Sequence, residues 1–302
     1  MNSFSLLGCK KYNLGITFSG GGAKCLAQAG FLQYLLEQGI EPDIISGVSG
    51  GAIVAALYAS GNSPKEILDI LLSIRIFSLR NFSFNRLGLI NSSKISLLLN
   101  KHFSTSTFEG LKIPIKIAVT NLTKGKIEVF SDGEIIKPLA ASFAYPGIFT
   151  PVKIGQEIYA DGGILNNYPS DLICDAAKYN IGMYLAPLTQ LEVGSLHNSL
   201  DVIERILQIN SNTSIQSNIE KVSTVIPFQI NKWRPFSTKP EQLKQLFNLG
   251  YNATKEHFSN SCNLNYLLKI KKYSNNAKKA ILPRFLRFFG SQITPPRDRS
   301  YR

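Results

Sequence analysis

Along the first sixty residues the apolar positions switch between two periods. Asn13–Phe18 (NLGITF) is a short β-prone run that stops at Gly20-Gly-Gly22; Leu26, Ala29, Gly30, Leu32, Leu35 and Leu36 then recur at helical spacing. Gly39 and Pro42 end that helix, Ile44–Val48 forms a second strand, and Gly50–Tyr58 a second helix. This strand–helix alternation predicts an α/β fold, with a mostly parallel central sheet covered by helices on both faces. Further strands are expected over Ile113–Val119, Lys126–Phe130, Val152–Ile154, Ile158–Ala160 and Ile181–Leu185. Helices are expected over Pro64–Ser73, Ser92–Asn100, Ile135–Phe143, Ser170–Lys178, Leu200–Glu220 and Pro240–His257. No repeat of 20–50 residues is present. The organisation expected is an α/β catalytic unit over 13–178, a helical C-terminal portion over 179–268 that closes on the same sheet, and a basic tail over 269–302.

Composition narrows the class. At 302 residues, 44% hydrophobic and 18% charged, the chain is globular and long enough to bury a large core. Cys9, Cys25, Cys174 and Cys262 are scattered without metal-binding spacing, which predicts free thiols, no metal and a reducing compartment. Leu6-Leu-Gly-Cys9 has the outline of a lipoprotein cleavage box, but no basic residue precedes it and its apolar run is short of a signal core. No uncharged apolar stretch approaches a membrane span, so the expected location is cytoplasmic, peripheral to a membrane at most. The net charge of +13 is concentrated: Lys269–Arg302 holds ten basic residues and one acid, Asp298. Such a tail suits an anionic membrane surface or nucleic acid. Ile281–Phe289 (ILPRFLRFF) mixes large apolar and cationic residues as an interfacial segment does, or as a tail docked by aromatics would. With no recognisable nucleic-acid motif, that partner ranks last.

Three glycine-rich sites carry candidate chemistry. Gly47-Val-Ser-Gly-Gly51 satisfies G-x-S-x-G at a strand-to-helix corner, where a sharp turn projects Ser49 above the sheet. Roughly 0.1–0.2 such matches arise by composition in a chain of this length, so the strand–helix context supplies most of the weight. A serine hydroxyl needs a positioned base. His102, His197 and His257 stand in no setting that marks a catalytic histidine. Asp161, at the end of a β-prone run and followed by Gly162 and Gly163, is a candidate base; an Asp-Gly hairpin turn reads the same residues. The amides of Gly20, Gly21, Gly22, Ala23 and Lys24, at a helix start, form a candidate anion or oxyanion site. This loop is neither a Walker A loop nor a sound dinucleotide fingerprint, because Cys25 stands where the last glycine of G-x-G-x-x-G belongs. Lys24 adds positive charge there or serves as a rival base, or is a solvated first-turn lysine.

These motifs, in this order, resemble the patatin-like phospholipase family. The resemblance extends to Leu26–Leu32, Ala141–Val152 and Ile164–Pro169, covers about Asn13 to Lys178, and has a weaker echo in Phe247–Tyr251. It implies a three-layer α/β/α fold and a Ser-Asp dyad acting on acyl esters of lipids without a cofactor. Ser49 is then the nucleophile, Asp161 the base, and the amides around Gly21, Gly22 and Ala23 the oxyanion hole. Cys25 departs from the family's glycine: a helical residue carries it without strain, but its Cβ crowds the anion site. Phe77, Leu79, Phe82, Phe84, Leu87, Leu89 and Ile90 form either core or an acyl-binding wall or lid. The rival reading is a catalytically weak lipid-surface or partner-binding protein that keeps the fold. Neither the lipid nor the oligomeric state is legible.

Overall fold

Strand β1 (Tyr12–Phe18) is buried at every position from Leu14 onward, and β2 (Ile44–Val48) throughout, as befits strands covered on both faces. They pair in parallel, β1 also pairs in parallel with β7 (Ala177–Tyr184), and β7 with β8 (Thr224–Pro227). On the other side β2 pairs in parallel with β3 (Ile115–Asn121). β4 (Lys126–Phe130) and β6 (Glu157–Asp161) join β3 antiparallel, and β5 (Val152–Ile154) joins β6. The sheet therefore runs β5-β6-β3-β2-β1-β7-β8, with β4 attached to β3. Helices α1 (Leu26–Glu37), α2 (Gly50–Ala59), α3 (Pro64–Ser73), α4 (Ser92–Asn100), α5 (Ile136–Ser142), α6 (Ser199–Glu220) and α7 (Pro240–Ser259) flank it. The computed structural model describes residues 10–74, 81, 83, 87–222, 224–227, 239–259, 263 and 265–271. Residues 1–9 with Cys9, Phe77, Leu79, Phe82, Phe84, Cys262 and the tail beyond Lys271 lie outside the described residues.

The pairing of β3 positions the site. β4 occupies one edge of β3 from Ile117 to Asn121, so β2, opposite Ile115–Ala118, and β6, opposite Val119–Asn121, share the other edge end to end. The last residue of β6, Asp161, is thereby brought to the C-terminal end of β2, where Ser49 follows Val48. Thr120 and Asn121 lie beyond the strand expected from the apolar pattern because they are polar. Both are buried and bonded: Thr120 donates to the Asp161 carbonyl at 2.9 Å and Asn121 to the Glu157 carboxylate.

The helix expected over Ser170–Lys178 is corrected. One 3-10 turn forms at Ser170–Leu172, and Ala177 already opens β7, opposite Tyr12. The free edge of β1 offers ladder partners, with Tyr12 N–H donating to the Ala176 carbonyl at 3.0 Å, and that tertiary pairing overrides local helix preference. Residue 178 thus lies inside a strand. β8, four residues long, had no periodic signal.

Helix α1 is buried almost all round, and α7 presents Leu243, Leu246, Phe247, Gly250, Thr254 and Phe258 to the core. The two cross where glycines face backbone. A Cβ on Gly30 would lie 2.0 Å from the Phe247 carbonyl oxygen, and one on Gly250 1.9 Å from that of Ala27. The Phe247–Tyr251 segment is therefore a helix contact on α1. Among the described residues no helix is long and apolar enough to cross a membrane.

An alanine in a helix interior gains about 1 kcal/mol over glycine. At Gly250 the facing backbone has no rotamer by which to yield, so the contact dominates. Gly250→Ala is expected to lower stability by about 1–3 kcal/mol in urea unfolding, and a raised midpoint would show that the helices do not touch there.

Candidate active site

Ser49 has φ 53° and ψ −128°, and is the one non-glycine residue with positive φ among the described residues. Such a conformation costs roughly 1–3 kcal/mol and persists only when its surroundings over-determine it. Here they do. A Cβ on Gly51 would stand 2.5 Å from the Ser19 carbonyl oxygen, and one on Gly47 2.9 Å from Ala52 Cα, so α2 packs against β1 and β2 only with glycine at both places. Ser49 N–H donates to Ser142 Oγ at 2.9 Å, and Ser142 Oγ–H donates to the Ala118 carbonyl at 2.8 Å. The buried Ser142 thus ties the turn to α5 and β3.

Above β2, Ser49 Oγ–H donates to Asp161 Oδ2 at 2.7 Å, and Gly163 N–H donates to Asp161 Oδ1 at 2.8 Å. Asp161 N–H donates to the Ala144 carbonyl at 3.1 Å, so the residue is held through backbone and side chain. The carboxyl is 2% exposed, and burial pushes its pKa from 3.8 up to about 7, against the lowering effect of the Ser49 and Gly163 hydrogen bonds. Asp161-Gly162 is no hairpin turn: a 3-10 turn over Gly162–Ile164 follows. A Cβ on Gly162 would lie 2.3 Å from the Ala118 carbonyl oxygen, and one on Gly163 2.7 Å from Asn167 Oδ1. Both dyad-loop glycines answer to close approach.

The glycine loop borders the same space, but its five amides are not equivalent. Gly20 N–H donates to the Asn167 carbonyl at 3.2 Å and Lys24 N–H to the Gly21 carbonyl at 3.1 Å. Among the described residues the N–H groups of Gly21, Gly22 (φ +56°) and Ala23 take no intrachain acceptor, which narrows the candidate oxyanion donors to three. Cys25 is helical (φ −57°, ψ −19°) and buried; its side chain packs toward Gly50, where an added Cβ would lie 3.2 Å from Sγ. Burial pushes its thiol up to about 12, so it stays neutral. Burial lowers the pKa of Lys24, and the Glu204 carboxylate partly opposes that.

Ser49, Asp161, Gly21, Gly22, Ala23 and Lys24 open onto one cavity of about 170 Å³. Its apolar wall comes from Ile53 of α2, Leu71 and Leu72 of α3, Ile95 and Leu99 of α4, and Phe149. Its polar side includes Asn167 and Tyr145, with Glu204 and Gln208 of α6. Of the segment expected to form core or an acyl-binding wall or lid, the described residues are Leu87, Leu89 and Ile90; Ile90 is buried, Leu87 and Leu89 are exposed, and these three do not line the cavity. His102, His197 and His257 do not line it either. Among the described residues no group of three metal-binding side chains occurs. Ser142, Tyr145 and Asn167 fall inside the segments that carry the family resemblance and Glu204 outside them, but the sequence assigns none of the four a role, since their roles depend on which strands and helices meet.

Residues 16–172, more than half of the chain, match the family model described as Patatin-like phospholipase. The chain belongs to this family of lipid ester hydrolases. An uncharacterized protein of Acanthamoeba polyphaga mimivirus is 28% identical over 273 residues, 80% of this chain and 92% of that protein. An uncharacterized NTE family protein of Mycobacterium tuberculosis is 29% identical over 167 residues, 54% of this chain but only 28% of its own length. The crystal structure of VipD from Legionella pneumophila is similar in fold, with a TM-score of 0.53 at 16% identity over 82% of this chain and 66% of VipD.

The raised pKa of Asp161 makes a stability prediction. The folded protein keeps this proton to higher pH than the unfolded chain, so the site's contribution is complete below about pH 4 and is lost as pH rises to about 7. Above that, the buried carboxylate subtracts from stability. Asp161→Asn is expected to be more stable than wild type by about 2–4 kcal/mol at pH 8, with the gain vanishing near pH 4, as measured by chemical denaturation. A pH-independent difference would contradict the shift.

Proposed function

We propose that the protein is a lipid acyl hydrolase that cleaves carboxylic esters through a covalent acyl-Ser49 on a Ser-Asp dyad. The observation that carries this reading is the 2.7 Å bond from Ser49 Oγ to a buried Asp161 carboxylate on the wall of a largely apolar cavity. A carboxylate with pKa about 7 is half ionised at neutral pH and a far better proton acceptor than one near 3.8.

Asp161 Oδ2 takes the Ser49 proton as Oγ attacks the ester carbonyl carbon. The carbonyl oxygen, now negative, is held by the N–H groups of Gly21, Gly22 and Ala23. As the tetrahedral intermediate collapses, the C–O bond to the alcohol breaks and the Asp161 proton passes to the leaving oxygen. Water then attacks the acyl-serine with Asp161 again as base, releasing the fatty acid and restoring Ser49. The apolar wall from α2, α3, α4 and Phe149 suits the acyl chain, and the glycine loop keeps the carbonyl at the polar end. The positive charge beyond residue 268 supports peripheral contact with an anionic membrane.

Covalent labelling by a fluorophosphonate, with the adduct located by peptide mass spectrometry, tests the dyad. Wild type is expected to label at Ser49, Ser49→Ala not at all, and Asp161→Asn at a rate lower by about 10²–10⁴. Full ester turnover by Asp161→Asn would end the dyad reading. An unlabelled wild type that is folded would favour a binding protein on the same fold.

A further inference from the structure

Helix α6 turns aliphatic side chains outward as well as inward. At 100° per residue, Glu204, Leu207, Gln208 and Ser211, which border the catalytic cavity, cluster on one side of the helix. Val202, Ile206 and Ile209 fall within an arc of about 60° on the opposite side and are 41%, 58% and 50% exposed. The side that faces into the protein is mixed, with Leu200, Leu207 and Ile215 among its polar residues, and over the first three turns an aliphatic stripe faces out. Directly before the helix, Leu188, Leu191, Val193 and Leu196 are exposed as well. Scattered exposed aliphatics need no explanation, but here seven fall within 22 residues, three on the helix that walls the cavity and four in the segment leading into it.

The far half of α6 is fixed in place. Ile215 is buried beside Tyr168 and Tyr184, and Asn218 Nδ2 donates to Asn166 Oδ1 and to the Tyr168 carbonyl, each at 3.0 Å. The stripe is thus displayed on an anchored helix.

We infer that the outer face of α6, with the 188–196 segment before it, docks on an uncharged or zwitterionic lipid surface and sets the cavity against the lipid from which the ester is drawn. The inference rests on a lipid substrate for the cavity. Two observations select a lipid surface as the occupant. The stripe residues Val202, Ile206 and Ile209 are aliphatic, without the Trp or Tyr anchors that dominate protein–protein hot spots, and Arg205 stands at their border, as cations do on an interfacial helix. Its charged neighbours, Glu192, Asp201 and Arg205, carry no positive surplus, so it does not call for anionic lipid as the tail does. Continuity adds to this, since the opposite side of the same helix lines the site.

The test uses the 302-residue chain with phosphatidylcholine vesicles and, separately, a soluble short-chain ester. The triple variant Val202→Ser, Ile206→Ser, Ile209→Ser is expected to lose about tenfold or more in vesicle co-sedimentation while hydrolysing the soluble ester as wild type does. As a second readout that leaves the stripe apolar, Ile206→Trp in a Trp233→Phe background is expected to shift its emission to the blue on adding vesicles. Unchanged co-sedimentation of the triple variant, absence of the emission shift, or conversion of a wild-type dimer to monomer with vesicle binding intact would each overturn the inference. Failure of wild type to cleave the soluble ester would instead count against the catalytic reading, and vesicle binding could still be scored.

Discussion

The site depends on two strands meeting end to end on one edge of a third. β2 and β6 run in opposite directions along β3, and their C-terminal ends abut where Ala118 gives way to Val119. A strand's end is where side chains leave the sheet, so this arrangement brings a serine and a carboxylate together from residues 112 apart in sequence. Closure at that junction leaves no space for side chains. Gly162 sits over the Ala118 carbonyl, Gly51 over that of Ser19 at the end of neighbouring β1, and Ser49 between these close approaches has positive φ.

Crowding of this kind opposes stability, and the compensations are visible. The strained Ser49 amide is satisfied by Ser142, itself anchored to Ala118. The buried Asp161 carboxyl receives one hydrogen bond on each oxygen. Two bonds do not replace full hydration, hence the raised pKa. A carboxylate that is costly to bury is also a stronger base, so the same desolvation that weakens the fold readies the proton acceptor.

Much of this was legible in the chain. G-x-S-x-G between an apolar run and a helix identified the Ser49 turn, because the elbow is local geometry enforced by its own glycines. The residues around Asp161 read either as a turn or as a base, and only the patatin-like resemblance favours the base, because the burial of Asp161 depends on the register of β6 against β3. Pairing also decided the Ser170–Lys178 segment, where helix-compatible residues were recruited to the edge of β1. Free and engaged amides of the glycine loop differ by contacts to Asn167 and within the loop, which no composition rule encodes. The cavity wall from α3, α4 and α6 was likewise a product of packing, and the Gly30–Gly250 crossing became readable only once α1 and α7 were side by side.

The central claim is that a desolvated aspartate, and no histidine, is the base for Ser49. The pH dependence of kcat/KM toward a soluble ester, followed from pH 5 to 9 in wild type and in a variant lacking His102, His197 and His257, tests it most directly. The account predicts one acidic limb with an apparent pKa of about 7 in both proteins. Activity that is flat down to pH 5, or a limb that disappears with the histidines, would contradict it.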